Sequence, residues 1–315
     1  MRTAFIQTLS EAAEEDERIW LICADLGYSV LEVFAERFPN RYVNVGVAEQ
    51  NMIGIATGLA LSGKTVFTYS MVNFSVMRCL EQIRNDVCYH NLSVKIVAVG
   101  GGLVYGEQGY SHHGVEDLAV MRVLPNMSVI APGDPVEAAL ATKAIATTPG
   151  PCYLRLSKAG EPTVHQTIPE FAIGKAIVLS PGSDITLITC GGMLDMSWKV
   201  ANELGNRSVS AHILSMPTIC PLDQEAIIEA ADRTGRIIVI EEHGVGGLGS
   251  AVAETLATSG RSVGFRVLGL KPEGFSLTGS HRDLLAAQGL TVEGVMQVAL
   301  SMVNDVKTHR ARGTN

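Results

Sequence analysis

The stretch Tyr42-Val-Asn-Val-Gly-Val-Ala-Glu-Gln-Asn-Met52 is the most informative part of this chain for predicting its fold. It predicts a short apolar strand that ends near Gly46, followed by a helix whose side chains are apolar nearly all round. Glu49 lies where the strand gives way to the helix. A carboxylate buried at such a junction is costly unless it is paired or used in chemistry. Glu49 is therefore the first candidate for a functional residue.

Outward from this stretch, short β-branched segments alternate with helical ones, and one helix is predicted from Val72 to Cys88. Apolar strands between helices predict a mostly parallel sheet covered on both faces. The stretch Gly160 to Pro169 interrupts this alternation and predicts a linker. We therefore predict an α/β protein of two domains, each a mostly parallel sheet flanked by helices. The predicted divisions are a first domain 1–165, a linker 166–173, a second domain 174–304 and a polar tail 305–315.

Composition narrows the classes of function. The chain has 315 residues and is 47% hydrophobic, which is enough for two cores. Its net charge of −8 argues against a nucleic-acid partner. Its six cysteines form no CxxC pair, which is typical of reduced, buried thiols in a cytoplasmic protein. The first residues predict a helix rather than a signal peptide, and no apolar segment is expected to span a membrane.

A second candidate site is the loop Gly106-Glu-Gln-Gly-Tyr-Ser-His-His-Gly114, which follows the predicted strand Val94 to Val99. Open α/β sheets place their ligands at the carboxyl ends of the strands. A lone surface histidine usually has no special role, but this loop combines two histidines, an acid and three glycines. Because histidine transfers protons near neutral pH, His112 becomes the second candidate for a catalytic residue.

The segment Gly244-Val-Gly-Gly-Leu-Gly249 satisfies the G-x-G-x-x-G pattern of dinucleotide sites. Three residues separate it from the predicted strand that ends at Ile240, whereas a dinucleotide site needs a tight turn there. No acid ends the next predicted strand, Val263 to Val267, where it would hold a ribose. We interpret the segment as a tight loop and helix start, with an anion site as the less favoured alternative.

Three stretches in this order resemble the pyrimidine-binding domain of transketolase-like, thiamine-diphosphate-dependent enzymes. They are Gly46-Val-Ala-Glu-Gln-Asn-Met52, the histidine loop with Glu116-Asp-Leu-Ala-Val-Met-Arg122, and Leu124-Pro-Asn-Met-Ser-Val-Ile-Ala-Pro132. The second unit, including Glu241 to Gly249, resembles the C-terminal domain of that family. The sequence lacks the Gly-Asp-Gly motif with which the family's diphosphate-binding domain holds Mg²⁺ and the diphosphate. The resemblance therefore implies the C-terminal subunit of a split transketolase.

This resemblance implies a reaction and a partner. The chain would transfer a two-carbon ketol unit from a ketose or ketose phosphate to an aldehyde acceptor, through a thiamine diphosphate carbanion. A separate N-terminal subunit would bind the diphosphate and Mg²⁺, and this chain would supply no metal ligand. The two subunits are expected to form an α2β2 assembly.

The resemblance also implies roles for individual residues. Glu49 would hydrogen-bond the aminopyrimidine ring, and His112 would assist proton transfer or stabilise a developing alkoxide. The other residues expected beside the cofactor are Asp25, Met71, Phe74 and Gln108. The residues expected to bind the sugar or its phosphate are Arg2, Ser29, Gln108, His112, Arg155 and Lys158. Taken alone, Arg2 and Lys158 would be ordinary solvated cations and Phe74 an ordinary core aromatic.

Departures from the family pattern concern the substrate. Authentic transketolases have Glu-Asp-Gly-Pro-Thr-His where this chain has Glu107-Gln-Gly-Tyr-Ser-His112. Gln108 therefore replaces the acid that contacts the C2 hydroxyl of the donor, and it can donate as well as accept. Lys158 replaces an arginine and lacks the bidentate fork for phosphate, and Met71 replaces an aromatic. These changes favour a donor other than xylulose 5-phosphate, and they leave open whether it is phosphorylated.

Other functions stay open from the sequence. The β subunit of a 2-oxo acid dehydrogenase shares the two-domain plan, although the histidine loop and Glu116 to Arg122 favour transketolase. A non-catalytic module that keeps the cofactor domains is the second alternative, and the intact Glu49 and His112 argue against it. A dehydrogenase based on Gly244 to Gly249 is the most distant alternative.

Overall fold

The computed structural model describes residues 1–312, with side chains described as far as residue 304. It confirms two α/β domains, each with a mostly parallel sheet flanked by helices. The strands of the first domain are β1 (Ile19–Cys23), β2 (Tyr42–Asn44), β3 (Thr65–Met71), β4 (Val94–Val99), β5 (Ser128–Ile130) and β6 (Cys152–Leu156). Its helices are α1 (Arg2–Glu15), α2 (Glu32–Arg37), α3 (Glu49–Leu61), α4 (Val72–Val76), α5 (Leu80–Gln82), α6 (Asp117–Arg122) and α7 (Pro135–Thr147).

The second domain follows the linker. Its strands are β7 (Ile177–Ser180), β8 (Ile185–Thr189), β9 (Ala211–Ser215), β10 (Thr218–Cys220), β11 (Arg236–Ile240) and β12 (Gly264–Leu268). Its helices are α8 (Leu194–Gly205), α9 (Gln224–Thr234), α10 (Leu248–Ser259), α11 (His281–Ala287) and α12 (Val292–Arg312). The sequence prediction lacked the two short strands β7 and β10 and the helix α11.

The two sheets are not separate along the chain. The first sheet has the order β10-β5-β6-β4-β3-β1-β2, and only β10 is antiparallel to its neighbour. The second has the order β12-β11-β8-β9-β7, with β7 antiparallel. Since β10 comes from the second half of the chain, that half supplies an edge strand to the first sheet. Side chains from both halves, such as Met121 and Leu248, belong to one buried core.

The central strand β4 shows why the first sheet is parallel. All six of its residues are buried, as expected for a strand covered by helices on both faces. Lys95 is the one charged residue among them, and its Nζ donates to the carbonyl oxygens of Thr148 at 2.6 Å and Gly150 at 2.5 Å. Burial lowers the pKa of Lys95. Its amine is thus satisfied inside the protein and has no exposed role.

Four segments that carry candidate residues leave the same edge of the first sheet. Because β1, β2, β3 and β4 are parallel, their carboxyl ends meet at one edge. Loops begin at Ala24, Val45 and Gly100, directly after β1, β2 and β4, and helix α4 begins at Val72, directly after β3. Gly46 has a φ of +71°, so a glycine suits the turn that leads into α3. The topology therefore gathers the candidates into one region.

The segment from Val72 to Cys88 is not the single helix predicted. Helix α4 ends at Val76, a short α5 follows, and residues Ile83–Cys88 form a π-helix. The hydroxyl of Ser75 donates to the carbonyl oxygen of Met71 at 2.8 Å, a contact that competes with regular helix bonding. This irregular backbone lies beside the candidate site, and single π-helical turns are frequent at functional sites in general.

The stretch Gly160 to Pro169, which was predicted to be a linker, is held against the first domain by hydrogen bonds. The backbone amides of Val164 and His165 donate to Asp134 Oδ2 at 2.9 and 3.0 Å. His165 Nε2 lies 2.8 Å from Glu137 Oε1, which also accepts from Ser215 Oγ at 2.7 Å. Because Ser215 ends a strand of the second domain, this cluster joins linker, first domain and second domain.

The end of the chain departs from the sequence prediction in two ways. The stretch His281–Asn304 is long and apolar enough, by length and composition, to cross a membrane. It consists of α11 and α12 joined by a turn, and Leu284, Val295 and Ala299 lie in the core of the second domain. We interpret it as core helices. The predicted tail 305–315 begins inside α12, and its residues 313–315 lie outside the described residues.

Candidate active site

Glu49 is the first residue of α3, and its side chain is 4% exposed. A carboxylate at a helix N-terminus is stabilised by the partial positive charge there. Glu49 Oε2 accepts a hydrogen bond from Arg78 Nη1 at 3.0 Å. The carboxylate faces an open cavity of about 440 Å³, which is lined by Val47, Ala48, Glu49, Gln50, Asn51 and Arg78. We call this the Glu49 cavity.

A row of contacts connects Glu49 with the histidine loop. The Cζ atom of Arg78 lies 4.0 Å from the centre of the Phe74 ring. The Phe74 ring meets the His112 ring edge-on, with centroids 5.3 Å apart. The structure therefore brings together Glu49, Phe74 and His112, three residues that the sequence selected. It adds Arg78, which the sequence analysis missed.

His112 lies in a loop whose backbone is held by short turns and by hydrogen bonds to helix α4. Two short 3-10 turns, Gly106–Gln108 and Tyr110–His112, shape this loop. Asn73 Nδ2 donates to the carbonyl oxygens of Tyr110 and Ser111 at 3.3 and 3.0 Å, which ties the loop to α4. Burial, together with nearby His113 and Arg78, lowers the pKa of His112. Its imidazole is therefore neutral at neutral pH, and one ring nitrogen can accept a proton while the other donates.

A second cavity, of about 180 Å³, lies beside Arg2. We call it the Arg2 cavity; it is lined by Arg2, Leu26, Gly27, Tyr28, Tyr69, Ser70, Met71, Val99 and Tyr105. Buried atoms of three of these residues have no hydrogen-bond partner among the described residues: Arg2 Nε, Tyr69 Oη and Ser70 Oγ. Burial raises the pKa of Tyr69 to about 12, so its hydroxyl remains a donor. Buried polar atoms rarely stay unpaired, so this cavity suits a polar or anionic group.

A third cavity, of about 530 Å³, lies between the two domains next to the Arg2 cavity, and we call it the interdomain cavity. Gln108 and Lys158 line it from the first domain, and Asp195 and His281 line it from the second. Tyr105 lines both this cavity and the Arg2 cavity. Lys158 Nζ lies 5.1 Å from the centre of the Tyr105 ring. Lys158 and Arg2 therefore line two cavities that share Tyr105, a residue that the sequence analysis did not select.

The remaining candidates from the first domain lie apart from these contacts. Met71 lines the Arg2 cavity and not the Glu49 cavity. Asp25 and Ser29 lie outside the three cavities, on positive φ angles of 51° and 62°. Asp25 Oδ1 accepts from Tyr28 Oη at 3.0 Å and from Asn44 Nδ2 at 3.2 Å. Its carboxylate orders the loop after β1 in this structure.

Arg155, which was expected to bind substrate, makes its hydrogen bonds inside the protein. Its side chain is 6% exposed, and Nε donates to Asp117 Oδ2 at 2.9 Å. Its Nη2 donates to the carbonyl oxygens of Gly114 at 2.6 Å and Glu242 at 3.0 Å. Tyr153 Oη also donates to Asp117 Oδ2, at 2.6 Å. A buried guanidinium needs such partners, and Arg155 uses them to join the first domain to the second.

The glycine motif of the second domain is a tight loop and helix start, as the sequence analysis favoured. Helix α10 begins at Leu248. The carboxylate of Glu241, which is 1% exposed, accepts from the backbone amides of Leu248 at 2.7 Å and Gly249 at 2.8 Å. The chain's own carboxylate therefore occupies the place where a dinucleotide phosphate would bind, which argues against the dehydrogenase alternative.

Comparison with known protein families agrees with this geometry. A family model described as the transketolase pyrimidine-binding domain matches residues 1–161. A model described as the transketolase C-terminal domain matches residues 174–295.

Similar proteins match nearly the whole chain. A subunit of the apulose-4-phosphate transketolase of Phocaeicola vulgatus is 39% identical over 96% of this chain and 97% of its own length. The 6-deoxy-6-sulfo-D-fructose transketolase subunit SqwH of Clostridium sp. (strain MSTE9) is 35% identical over 95% of this chain and 93% of its own. A solved structure described as a split gene transketolase, inactive beta4 tetramer, is 36% identical, with a TM-score of 0.87 over 96% of this chain and 97% of its own.

Proposed function

Because the chain belongs to the transketolase family, we propose that it is the C-terminal subunit of a split, thiamine-diphosphate-dependent enzyme. A separate diphosphate-binding subunit completes the active site in this proposal. The enzyme transfers a two-carbon ketol unit from a ketose donor to an aldehyde acceptor. The observation that carries the proposal is the row of contacts from Glu49 through Arg78 and Phe74 to His112, which begins at the Glu49 cavity.

The residues present fit one end of the cofactor. Glu49 offers a buried carboxylate at the start of α3, and Phe74 offers an aromatic ring beside it. When bound, thiamine diphosphate supplies the electron sink for cleaving a carbon–carbon bond next to a carbonyl group. Glu49 would hold the aminopyrimidine and exchange a proton with its ring nitrogen. Among the described residues, no group of three or more His, Cys, Asp or Glu side chains could hold a metal ion. In this proposal the partner subunit holds the diphosphate and Mg²⁺, because the Gly-Asp-Gly motif that binds them in the family is absent from this sequence.

In this proposal His112 donates a proton to the substrate or accepts one from it. Its neutral imidazole contacts the Phe74 ring and lies half-buried at the side of the site. Ser111 Oγ lies 2.9 Å from His112 Nδ1, which orients the ring. A neutral imidazole so placed can donate a hydrogen bond to a developing alkoxide or take a proton from a substrate hydroxyl.

We assign the sugar end of the substrate to the region around Tyr105. Arg2 and Lys158 supply positive charge to the two cavities that share Tyr105, and Tyr69 and Ser70 supply buried hydroxyls. Gln108 is exposed and lines the interdomain cavity, where an uncharged amide can contact a donor hydroxyl. Two cations suit a ketose with an anionic end group, such as a phosphate or a sulfonate. The names of the two relatives, which include a sugar phosphate and a sulfonated sugar, support this class.

The assembly is proposed to be an α2β2 complex in the cytoplasm. Support comes from relatives named as transketolase subunits and from a similar chain described as an inactive beta4 tetramer. The cysteines among the described residues are free thiols, in keeping with a reducing compartment.

A comparison of donors tests the proposed reaction. With the partner, Mg²⁺ and cofactor, we expect ketol transfer from ketose phosphates or sulfonates. Neutral ketoses should have kcat/KM lower by about 10- to 100-fold, the cost of losing a charged hydrogen bond. Transfer is measured by chromatography of the products, and pyruvate with ferricyanide serves as the competing assay. Oxidation of pyruvate without ketol transfer would instead identify the β subunit of a 2-oxo acid dehydrogenase.

A further inference from the structure

Arg78 makes two contacts in the candidate site and is otherwise weakly held. Its Nη1 donates to Glu49 Oε2 at 3.0 Å, and its Cζ lies 4.0 Å above the Phe74 ring. Its side chain is 49% exposed, whereas Glu49 is 4% exposed. Glu49 is the one hydrogen-bond partner of the guanidinium among the described residues. A pair with one half-exposed member is worth little and opens readily.

These two contacts are the ones that the proposed function assigns to the aminopyrimidine of the cofactor. A guanidinium is planar, donates hydrogen bonds to a carboxylate and stacks on an aromatic face. An aminopyrimidine is also planar, hydrogen-bonds a carboxylate and stacks on an aromatic ring. Both groups therefore have the chemistry to bind the Glu49 carboxylate and to stack on the Phe74 ring.

We propose that Arg78 is a gate on the cofactor site: in the free chain it takes the place of the aminopyrimidine, and it turns into solvent when the cofactor binds. This inference rests on the proposed function. The exposure of Arg78 provides the route, because its side chain also lines the open Glu49 cavity. The gate keeps the buried Glu49 carboxylate paired while the site lacks its cofactor, which avoids an unpaired buried charge.

The gate has a measurable consequence for binding. A ligand that binds only the open form has its apparent affinity reduced by the fraction of open molecules. The strength of a half-exposed ion pair corresponds to a dissociation constant weakened by about 2- to 6-fold. Removing the guanidinium should therefore strengthen cofactor binding by about this factor and speed association.

The experiment is a titration of the assembled complex with thiamine diphosphate in the presence of Mg²⁺. Calorimetry gives the dissociation constant, and stopped-flow protein fluorescence gives the association rate. Arg78→Met keeps the length of the side chain and Arg78→Gln keeps polarity, so two variants address the same contact. Arg84→Met is the matched control, because Arg84 is exposed on the neighbouring π-helix and hydrogen-bonds only Asn85 among the described residues.

The expected result is a dissociation constant lowered by about 2- to 6-fold in both Arg78 variants and unchanged in Arg84→Met. Equal or weaker binding in the Arg78 variants would overturn the gate, and weaker binding would show that Arg78 holds the cofactor instead. A wild-type complex that binds no thiamine diphosphate would contradict the proposed function itself. The two failures are therefore distinguishable.

Discussion

Replacing Glu49 by glutamine is expected to lower ketol transfer by the assembled enzyme by about 10²- to 10⁴-fold, the usual contribution of a positioned acid or base. Glutamine has nearly the same shape and can still hydrogen-bond, but its amide cannot exchange a proton. Because Glu49 is buried at the start of α3, a carboxylate from solution cannot reach its position and replace it. The measurement is kcat at saturating thiamine diphosphate and donor.

The control for this variant is Glu81→Gln, which changes an exposed carboxylate in the same region. It should keep the wild-type rate. Calorimetry of thiamine diphosphate on the Glu49→Gln complex separates lost catalysis from lost binding. A Glu49→Gln enzyme with the wild-type kcat would remove Glu49 from the mechanism.

Replacing Asp117 by alanine is expected to lower the free energy of unfolding by about 3–5 kcal/mol, the cost of removing one partner of a buried ion pair. Asp117 is fully buried and accepts from Arg155 at 2.9 Å and from Tyr153 at 2.6 Å. Without it, a guanidinium and a hydroxyl stay buried without this acceptor. Because Arg155 also donates to Glu242 in the second domain, the contact between the domains should weaken as well.

Urea unfolding followed by far-UV circular dichroism measures this loss. The matched control is Asp232→Ala, which breaks the exposed pair of Asp232 and Arg261 on the second domain. Its midpoint should stay at the wild-type value. If Asp117→Ala also unfolds at the wild-type midpoint, the buried network is not what joins the domains.

The sequence was sufficient to predict the part of the site that depends on local patterns. Glu49 stands at a strand-to-helix junction and His112 in a loop after a buried strand, so each position follows from its neighbours in sequence. Parallel strands bring their carboxyl ends together, so the two residues lie at one edge of the sheet. The structure adds that Phe74 lies between Arg78 and His112.

Contacts between distant parts of the chain could not be predicted in the same way. Arg155 was expected to bind substrate, whereas its guanidinium donates to the backbone of Glu242, which is 87 residues away in sequence. The strand β10 has only three residues, too few for a periodic pattern, and pairs with β5 across the domain boundary. Arg78 had a weak signal, a cation four positions after an aromatic on helical backbone, where side chains meet.

The same limit applies to the glycine motif. Its spacing matches a dinucleotide site, but Glu241 occupies the helix N-terminus through two backbone amides. A carboxylate seven residues before the helix can cap it only because of the turn between them, and the sequence pattern does not show that turn. A glycine motif of this kind indicates a ligand only when the backbone amides at the helix N-terminus are free to donate to it.

The most direct test of the account is ketol transfer by this chain alone, by its diphosphate-binding partner alone, and by their mixture, each with thiamine diphosphate, Mg²⁺, an anionic ketose and an aldehyde acceptor. The partner is first identified as the protein that co-elutes with this chain from its native source. Only the mixture is expected to form the transferred product, and its rate should reach a maximum when the two chains are present in equal molar amounts. Transfer by this chain alone at the rate of the mixture would contradict the claim that it holds half of an active site.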